Sequence, residues 1–585
     1  MSETSAWRTT LCAQRRRKGG DPFTTTRRMS GWPGTGSVPV FAAGRRRWRL
    51  GAAATMIGVA GLAVSPPVMA QNASDSVVEA SRQVTVDTDP TRLFSVPTVV
   101  VHPDDPQTLV VAVGDARNGG CQLRVSRDGG LSWATTAPNL MPADLPYCVH
   151  RNTGSYISPR FASDGTLYVA LSGTPADDHP NGPMTALVAR TTDLGETFET
   201  SIVATPRSDH TFTNLDGTVE TDLIGQHRYA SLAVDPVDPN IVYRGWRFGL
   251  RGTARENAAP RETLVSVSTD GARTWSEPVN VIASLPEAQK SYAGDVPVMV
   301  VGADRAVYAF TKEIQDSAVP AAQRGKNRLF MSKSTDNGET WTASVINAGA
   351  TSVTNPFAAI DPRNGDLHVT WDQREGKGPQ QVLLTSSTDG GTTWSEARLL
   401  ADPPAATIDH YNPGISVSPN GRIDVAWFDF RNDPFYVART PTSNPVTRYA
   451  DIYMTSSTDG GATWSPNLKV TDRAIDTSIG VTFSNYGLRG PIGIASTEAA
   501  AYVVWPDSRG GNTELQSEDA YLTRVRFAGE ALAASSTEGS RVPYVLLGAA
   551  IALALGGLAL AVGARVVAGS GSSGIGQSRP KPRPT

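Results

Sequence analysis

Four times in this chain an apolar run ends in Asp-x-Arg: Asp115-Ala-Arg117, Asp372-Gln-Arg374, Asp429-Phe-Arg431 and Asp507-Ser-Arg509. Arginine presents a planar fork of donors that grips a carboxylate bidentately, so a ring of such residues would bind an anionic ligand. The neighbouring aspartate offers a competing use. It can pair with its own arginine or cap the loop, and the pair then recurs only because the segment recurs. Arg228, Arg489 and Tyr411, the last within Asp409-His410-Tyr411, stand just ahead of apolar runs and outside that pattern. They are the sharper ligand-binding candidates.

The elements that must position these residues are repeats. Seven segments share an apolar strand, a turn of Asp, Pro, Asn or Gly type, and a second apolar strand. They run from Thr98 to Gly114, Pro159 to Gly173, Ala230 to Trp246, Pro297 to Phe310, Pro356 to Trp371, Pro413 to Trp427 and Pro491 to Trp505. A third strand follows each. Short alternating strands at a long, even period predict radial four-stranded blades, and hence an all-β, seven-bladed β-propeller. The last unit lacks a fourth strand, which Arg82 to Thr88 is expected to supply, closing the ring and removing an open edge.

After the third strand of the first six units comes Ser/Thr-x-Asp-x-Gly-x-Thr-Trp or a close variant. Its aspartates are Asp128, Asp193, Asp270, Asp336, Asp389 and Asp459, and the third copy carries Ala272 in place of the second glycine. The carboxylate can accept backbone N–H bonds across a tight turn, glycine supplies positive φ, and the aromatic is expected to pin the turn on the next strand. These aspartates are structural. The motif resembles the Asp-box, or BNR, repeats of the sialidase superfamily, over nearly all of residues 90–527.

That resemblance implies a six-bladed wheel as the alternative to seven, and an exo-glycosidase of sialidase type as a function. Sialidases hold a sugar carboxylate with three arginines, the first in a Phe-Arg-Ile-Pro motif, and use a tyrosine nucleophile assisted by a carboxylate. Here the motif reads Phe94-Ser95-Val96-Pro97, so serine replaces that arginine. Arg117 resembles the arginine after the second strand, but Asn118-Gly-Gly-Cys121 follows where an acid is expected. Tyr411 would be the nucleophile, with Asp409, Glu220 or Asp222 as its partner.

Strand alternation places the first-to-second turns and the Asp boxes on one face. The longer, variable connections lie on the other, where repeat proteins usually bind. Cys121 and Cys148 fall there. They are the only cysteines after Cys12, and an oxidising compartment favours one disulfide over a metal site, two free thiols being the alternative.

Composition and the chain ends set the compartment. Of the 585 residues, 39 % are hydrophobic and 19 % charged, which excludes wholesale disorder. The basic ends hide an acidic middle: residues 50–564 hold 38 Lys and Arg against 54 Asp and Glu, a net charge of −16. Such a body does not suit nucleic acid. Arg45-Arg-Arg-Trp-Arg49, then an uncharged stretch to Val64 and Val68-Met69-Ala70, reads as a secretory signal cut after Ala70. A start at Met29 and an uncleaved signal-anchor are the alternatives. Residues 528–541 form a linker. Val542 to Ala564 is uncharged and long enough for a membrane of about 30 Å, and the basic tail, residues 565–585, is expected in the cytoplasm.

The expectation is an exported, plasma-membrane-anchored propeller, residues 76–527, whose loop-rich face recognises a glycan or a cell-surface protein. Arg117, Arg228, Arg374, Arg431, Arg489 and Arg509 are its candidate ligand-binding residues. The alternatives are the exo-glycosidase, with Tyr411, Asp409 and Glu220 as catalytic candidates, and a non-catalytic assembly or interaction module of the envelope. No cofactor and no metal site are expected.

Overall fold

The computed structural model describes residues 76–85 and most of 93–527. Residues 149–156, 177–182, 252–260, 287–294, 314–326 and 481–491 lie outside the described set, as do stretches of one to three residues elsewhere. The proposed leader, linker, membrane helix and tail lie outside it too, as does Arg489. Among the described residues, no helix is long and apolar enough to cross a membrane.

Seven antiparallel sheets follow one another along the chain. Blade 1 comprises Phe94–Val101, Leu109–Asp115, Cys121–Ser126 and Ala134–Ala137. Blades 2 to 6 begin with the inner strands Ser158–Phe161, Val219–Val234, Val298–Val301, Phe357–Ile360 and His410–Val417, and blade 7 with Gly493–Ser496. The six-bladed alternative is therefore excluded. Second strands such as Leu109–Asp115 and Ala500–Asp507 are buried at every position. A blade between two others is covered on both faces, so its strands read as continuous apolar runs rather than alternating ones.

The ring closes through the N-terminus, but the closing strand starts earlier than Arg82. Ser76–Val78 pairs with Phe527–Val525, and Arg82–Gln83 adds a second short pairing with Leu522 and Tyr521. Val84 and Thr85 continue the clasp, bonding to the Ala520 carbonyl and the Asp519 carboxylate.

Each Asp box folds as its residues dictate. In blade 4, Ser334 Oγ donates to Asp336 Oδ1 (2.7 Å), and Asp336 also accepts the Thr340 amide (2.9 Å) and hydroxyl. The Gly338 amide donates to Ser334 Oγ (2.8 Å). Gly338 sits at φ 85°, and Ala272, in the third copy, holds the same left-handed region at φ 63°.

The box docks on the preceding blade rather than on the strand that follows it. A side chain at Gly338 would lie 2.8 Å from Val267, on the blade before. Trp275 Nε1 donates to Ser201 Oγ of blade 2 (2.9 Å), and Thr136 Oγ1 of blade 1 donates to the Leu194 carbonyl in the second box (2.8 Å). The boxes thus staple blade to blade.

Cys121 and Cys148 form a disulfide, with Cα atoms 5.9 Å apart. Cys121 is the first residue of a strand rather than part of a connection. The bond ties blade 1 to the segment leading into blade 2, inside a core with Leu140, Leu145 and Leu187.

Candidate functional site

Three blades share a distortion where their inner strands start. Strand pairing in blade 1 slips by one residue between Ser95 and Thr98, in blade 3 between Arg228 and Ser231, and in blade 6 between Tyr411 and Gly414. The residue after each slip point is left-handed: Val96 at φ 51°, Tyr229 at φ 65° and Asn412 at φ 51°. None is glycine, and a β-branched valine is an outlier there. Strain of about 1–3 kcal/mol per such residue persists only where surrounding structure imposes it, commonly at functional sites. Ser95, Arg228 and Tyr411 therefore occupy one topological position on three blades, at the loop-rich end of the inner strand.

Around Arg228 the charge is mostly positive. Its strand partner is Arg247, whose guanidinium stacks on the Tyr229 ring at 4.6 Å and meets Asp295 at 3.3 Å. Lys312 reaches the same carboxylate at 3.6 Å. Two arginines directly opposite each other repel, and the aspartate that Arg247 meets is shared with a lysine. Glu313, nearby, is engaged by Arg328 at 2.9 Å. Below this cluster His227 is fixed by Trp246, whose Nε1 donates to Nδ1 (2.8 Å), and its Nε2 lies 3.0 Å from the Thr205 carbonyl. Burial pushes the imidazole pKa down to about 4, so it is neutral at pH 7.

Around Tyr411 the acids are committed elsewhere. Asp409 is fully buried and accepts the Gln380 amide (2.7 Å) and the Tyr436 hydroxyl (2.7 Å). Gln380 also donates its side-chain amide to Asp372 (2.6 Å), which takes the Thr354 hydroxyl and the Asn412 amide as well. Burial raises the Asp372 pKa against these bonds. Tyr411 packs its ring edge-on to Phe430, with centroids 5.9 Å apart. Glu220 stands on a hairpin that extends blade 3 beyond the disc, paired opposite Phe212. Seven residues separate it from Arg228, a path of at most about 26 Å. Tyr411 and Tyr436, the partner of Asp409, pack against the same core, while Glu220 belongs to blade 3.

The Asp-x-Arg pairs divide into two kinds. In blade 6, Asp429 accepts Arg431 Nη2 (2.6 Å) and Trp427 Nε1 (2.9 Å), with His410 Nε2 at 3.2 Å, and Arg431 stacks on Tyr453 at 4.0 Å. Burial alone would raise the Asp429 pKa, but the hydrogen bonds from His410 and Arg431 hold it well below the usual carboxylate range. Blade 7 repeats the unit with Asp507, Arg509, Trp505 and Tyr521. In blade 1 the aspartate serves the backbone instead: Asp115 caps the turn through the Arg117 and Asn118 amides, and Arg117 is exposed. In blade 5 Asp372 is taken by Thr354, Gln380 and Asn412. Arg374 lies half-buried at the end of its strand. Arg431 and Arg509 are thus bound into the scaffold. Asp295, Arg247 and Lys312 were not singled out from sequence; the only signal was their place beside inner-strand starts.

Residues 247–486 match the model of the BNR repeat-like domain. The chain carries BNR-type repeats. No curated protein matches it by sequence. Among solved structures it resembles a Hadza microbial sialidase (15 % identity, covering 71 % of this chain and 73 % of that one, TM-score 0.40). It also resembles a Dyadobacter fermentans protein of unknown function (14 %, 78 % and 100 %, 0.42). A third is an α-L-arabinofuranosidase of Fusarium graminearum solved with arabinobiose (15 %, 60 % and 92 %, 0.38). The described residues thus form a seven-bladed propeller with a BNR repeat-like segment.

Proposed function

We propose that this BNR-repeat propeller is a binding module that recognises an acidic glycan at the loop-rich end of blades 3 and 4. The observation that carries the reading is Arg228 directly opposite Arg247, with Asp295 shared between Arg247 and Lys312. A carboxylate-bearing sugar would relieve that repulsion through bidentate bonds. Export through the N-terminal signal and anchoring by residues 542–564 would present this face outside the cell. Binding is favoured over hydrolysis because Asp409 spends both oxygens on Gln380 and Tyr436 rather than on Tyr411.

The test is a glycan array and a fluorogenic sialoside assay on the full chain, each repeated with Arg228→Ala. Acidic-glycan binding that the substitution abolishes, without turnover, is the expected result. Turnover lost in Arg228→Ala would replace the binding module with a glycosidase, and an array without hits would shift the reading to a protein ligand.

A further inference from the structure

One arginine, Arg160, stands among the residues that line the axis of the wheel. The seven inner strands enclose a cavity of about 140 Å³. On its lining, Gly493 approaches blade 1 so closely that a side chain there would lie 2.6 Å from the Pro97 carbonyl. All seven inner strands, or the residues that lead into them, contribute to the cavity lining.

Arg160, on the blade 2 inner strand Ser158–Phe161, lines the same cavity. Its Nη1 donates to the carbonyl of its own neighbour, Pro159, at 2.8 Å. Among the described residues, no carboxylate lies within 4.0 Å of its guanidinium nitrogens, and no acid lines the cavity. The residue is exposed to solvent, while the surrounding strands lower its pKa by desolvation. Arg431 and Arg509, by contrast, are each held by an aspartate and an aromatic ring. A guanidinium that lines a cavity containing no acid leaves its forked donors available to an anion.

Hydroxyls complete the setting. Ser158 lies two residues before Arg160, on the same face of the strand. It is buried, and its Oγ accepts the Leu232 amide (3.1 Å), which leaves its own hydrogen to donate. Ser231 of blade 3 and Thr98 of blade 1 flank it on the lining.

We propose that the central channel binds a small oxyanion of phosphate or sulfate size, held by the Arg160 guanidinium and the Ser158 hydroxyl. Such an ion would brace the hub, where the inner strands of seven blades meet. Because the body is acidic overall, affinity comes from local donors rather than long-range attraction.

The experiment is calorimetric titration of the full chain with inorganic phosphate, alongside Arg160→Met, Ser158→Ala and Arg228→Ala. The expected result is saturable binding weakened by about tenfold or more in Arg160→Met and severalfold in Ser158→Ala, and unchanged in Arg228→Ala. Wild-type protein that takes up no phosphate overturns the proposal. So does binding lost in Arg228→Ala but kept in Arg160→Met, which places the anion at the mouth. Should Arg160→Met fail to fold, Ser158→Ala and Arg160→Lys decide: full wild-type affinity in both sinks the site.

Discussion

Glu79 and Arg524 form the ion pair that closes the wheel. Oε1 of the glutamate accepts Nε at 3.0 Å and Nη2 at 2.7 Å across 445 residues of sequence, and Arg526 joins it at 2.8 Å. One carboxylate on the N-terminal strand thereby fastens two arginines of the last strand.

Replacing it should loosen the ring. Glu79→Gln is expected to cost about 1–3 kcal/mol, the usual worth of hydrogen bonds to charged groups. Urea unfolding reads this directly, and an unchanged midpoint would show that pairing of the strand backbone suffices for closure.

Acid should attack the boxes before the core. The Thr340 hydroxyl and amide, with Ser334, hold Asp336 down to about 2, and the Thr393 hydroxyl and amide do the same for Asp389, also about 2. Unfolded aspartate titrates near about 4. A lowered folded pKa means that stability is fully present above about pH 4 and is lost as pH falls toward 2. Asp336→Asn should flatten that part of the stability curve, measured as thermal midpoint between pH 5 and 2.

Scaffold and binding arginines should separate by readout. Arg431→Ala removes a bond to Asp429 and the stack on Tyr453, so it should cost about 1–3 kcal/mol of stability. Arg228→Ala should leave the unfolding midpoint close to wild type and abolish ligand capture. The reverse pattern would move the binding face to blade 6.

The hub should reject a methyl group. Gly493→Ala places its Cβ against the Pro97 carbonyl and the Val504 side chain, so overpacking by about 1–3 kcal/mol is expected. A variant as stable as wild type would mean that the inner strands can move apart.

Reduction should weaken the blade 1–2 junction. Opening Cys121–Cys148, a 27-residue separation, is expected to remove about 2–4 kcal/mol. Denaturant unfolding with and without a reductant measures it, and equal midpoints would confine the bond to a local role.

What the sequence by itself determined was everything written in short-range contacts. The Asp box was legible because Ser334, Asp336, Gly338 and Thr340 bond within a few residues of one another, and strand count followed from runs bounded by turn residues. The apolar strand pairs from Thr98 onward yielded seven blades and the two faces.

Only the tertiary structure decided which polar groups were available. Asp409 is spent on Tyr436 and Gln380, 27 and 29 residues away, and Arg247 finds Asp295 after 48. The slips beside Ser95, Arg228 and Tyr411, and the turn of Arg160 into the axis, depend on register and on neighbouring blades. No local pattern encodes these, because adjacent blades meet through residues separated by a whole repeat, and a carboxylate's partner is set by that meeting.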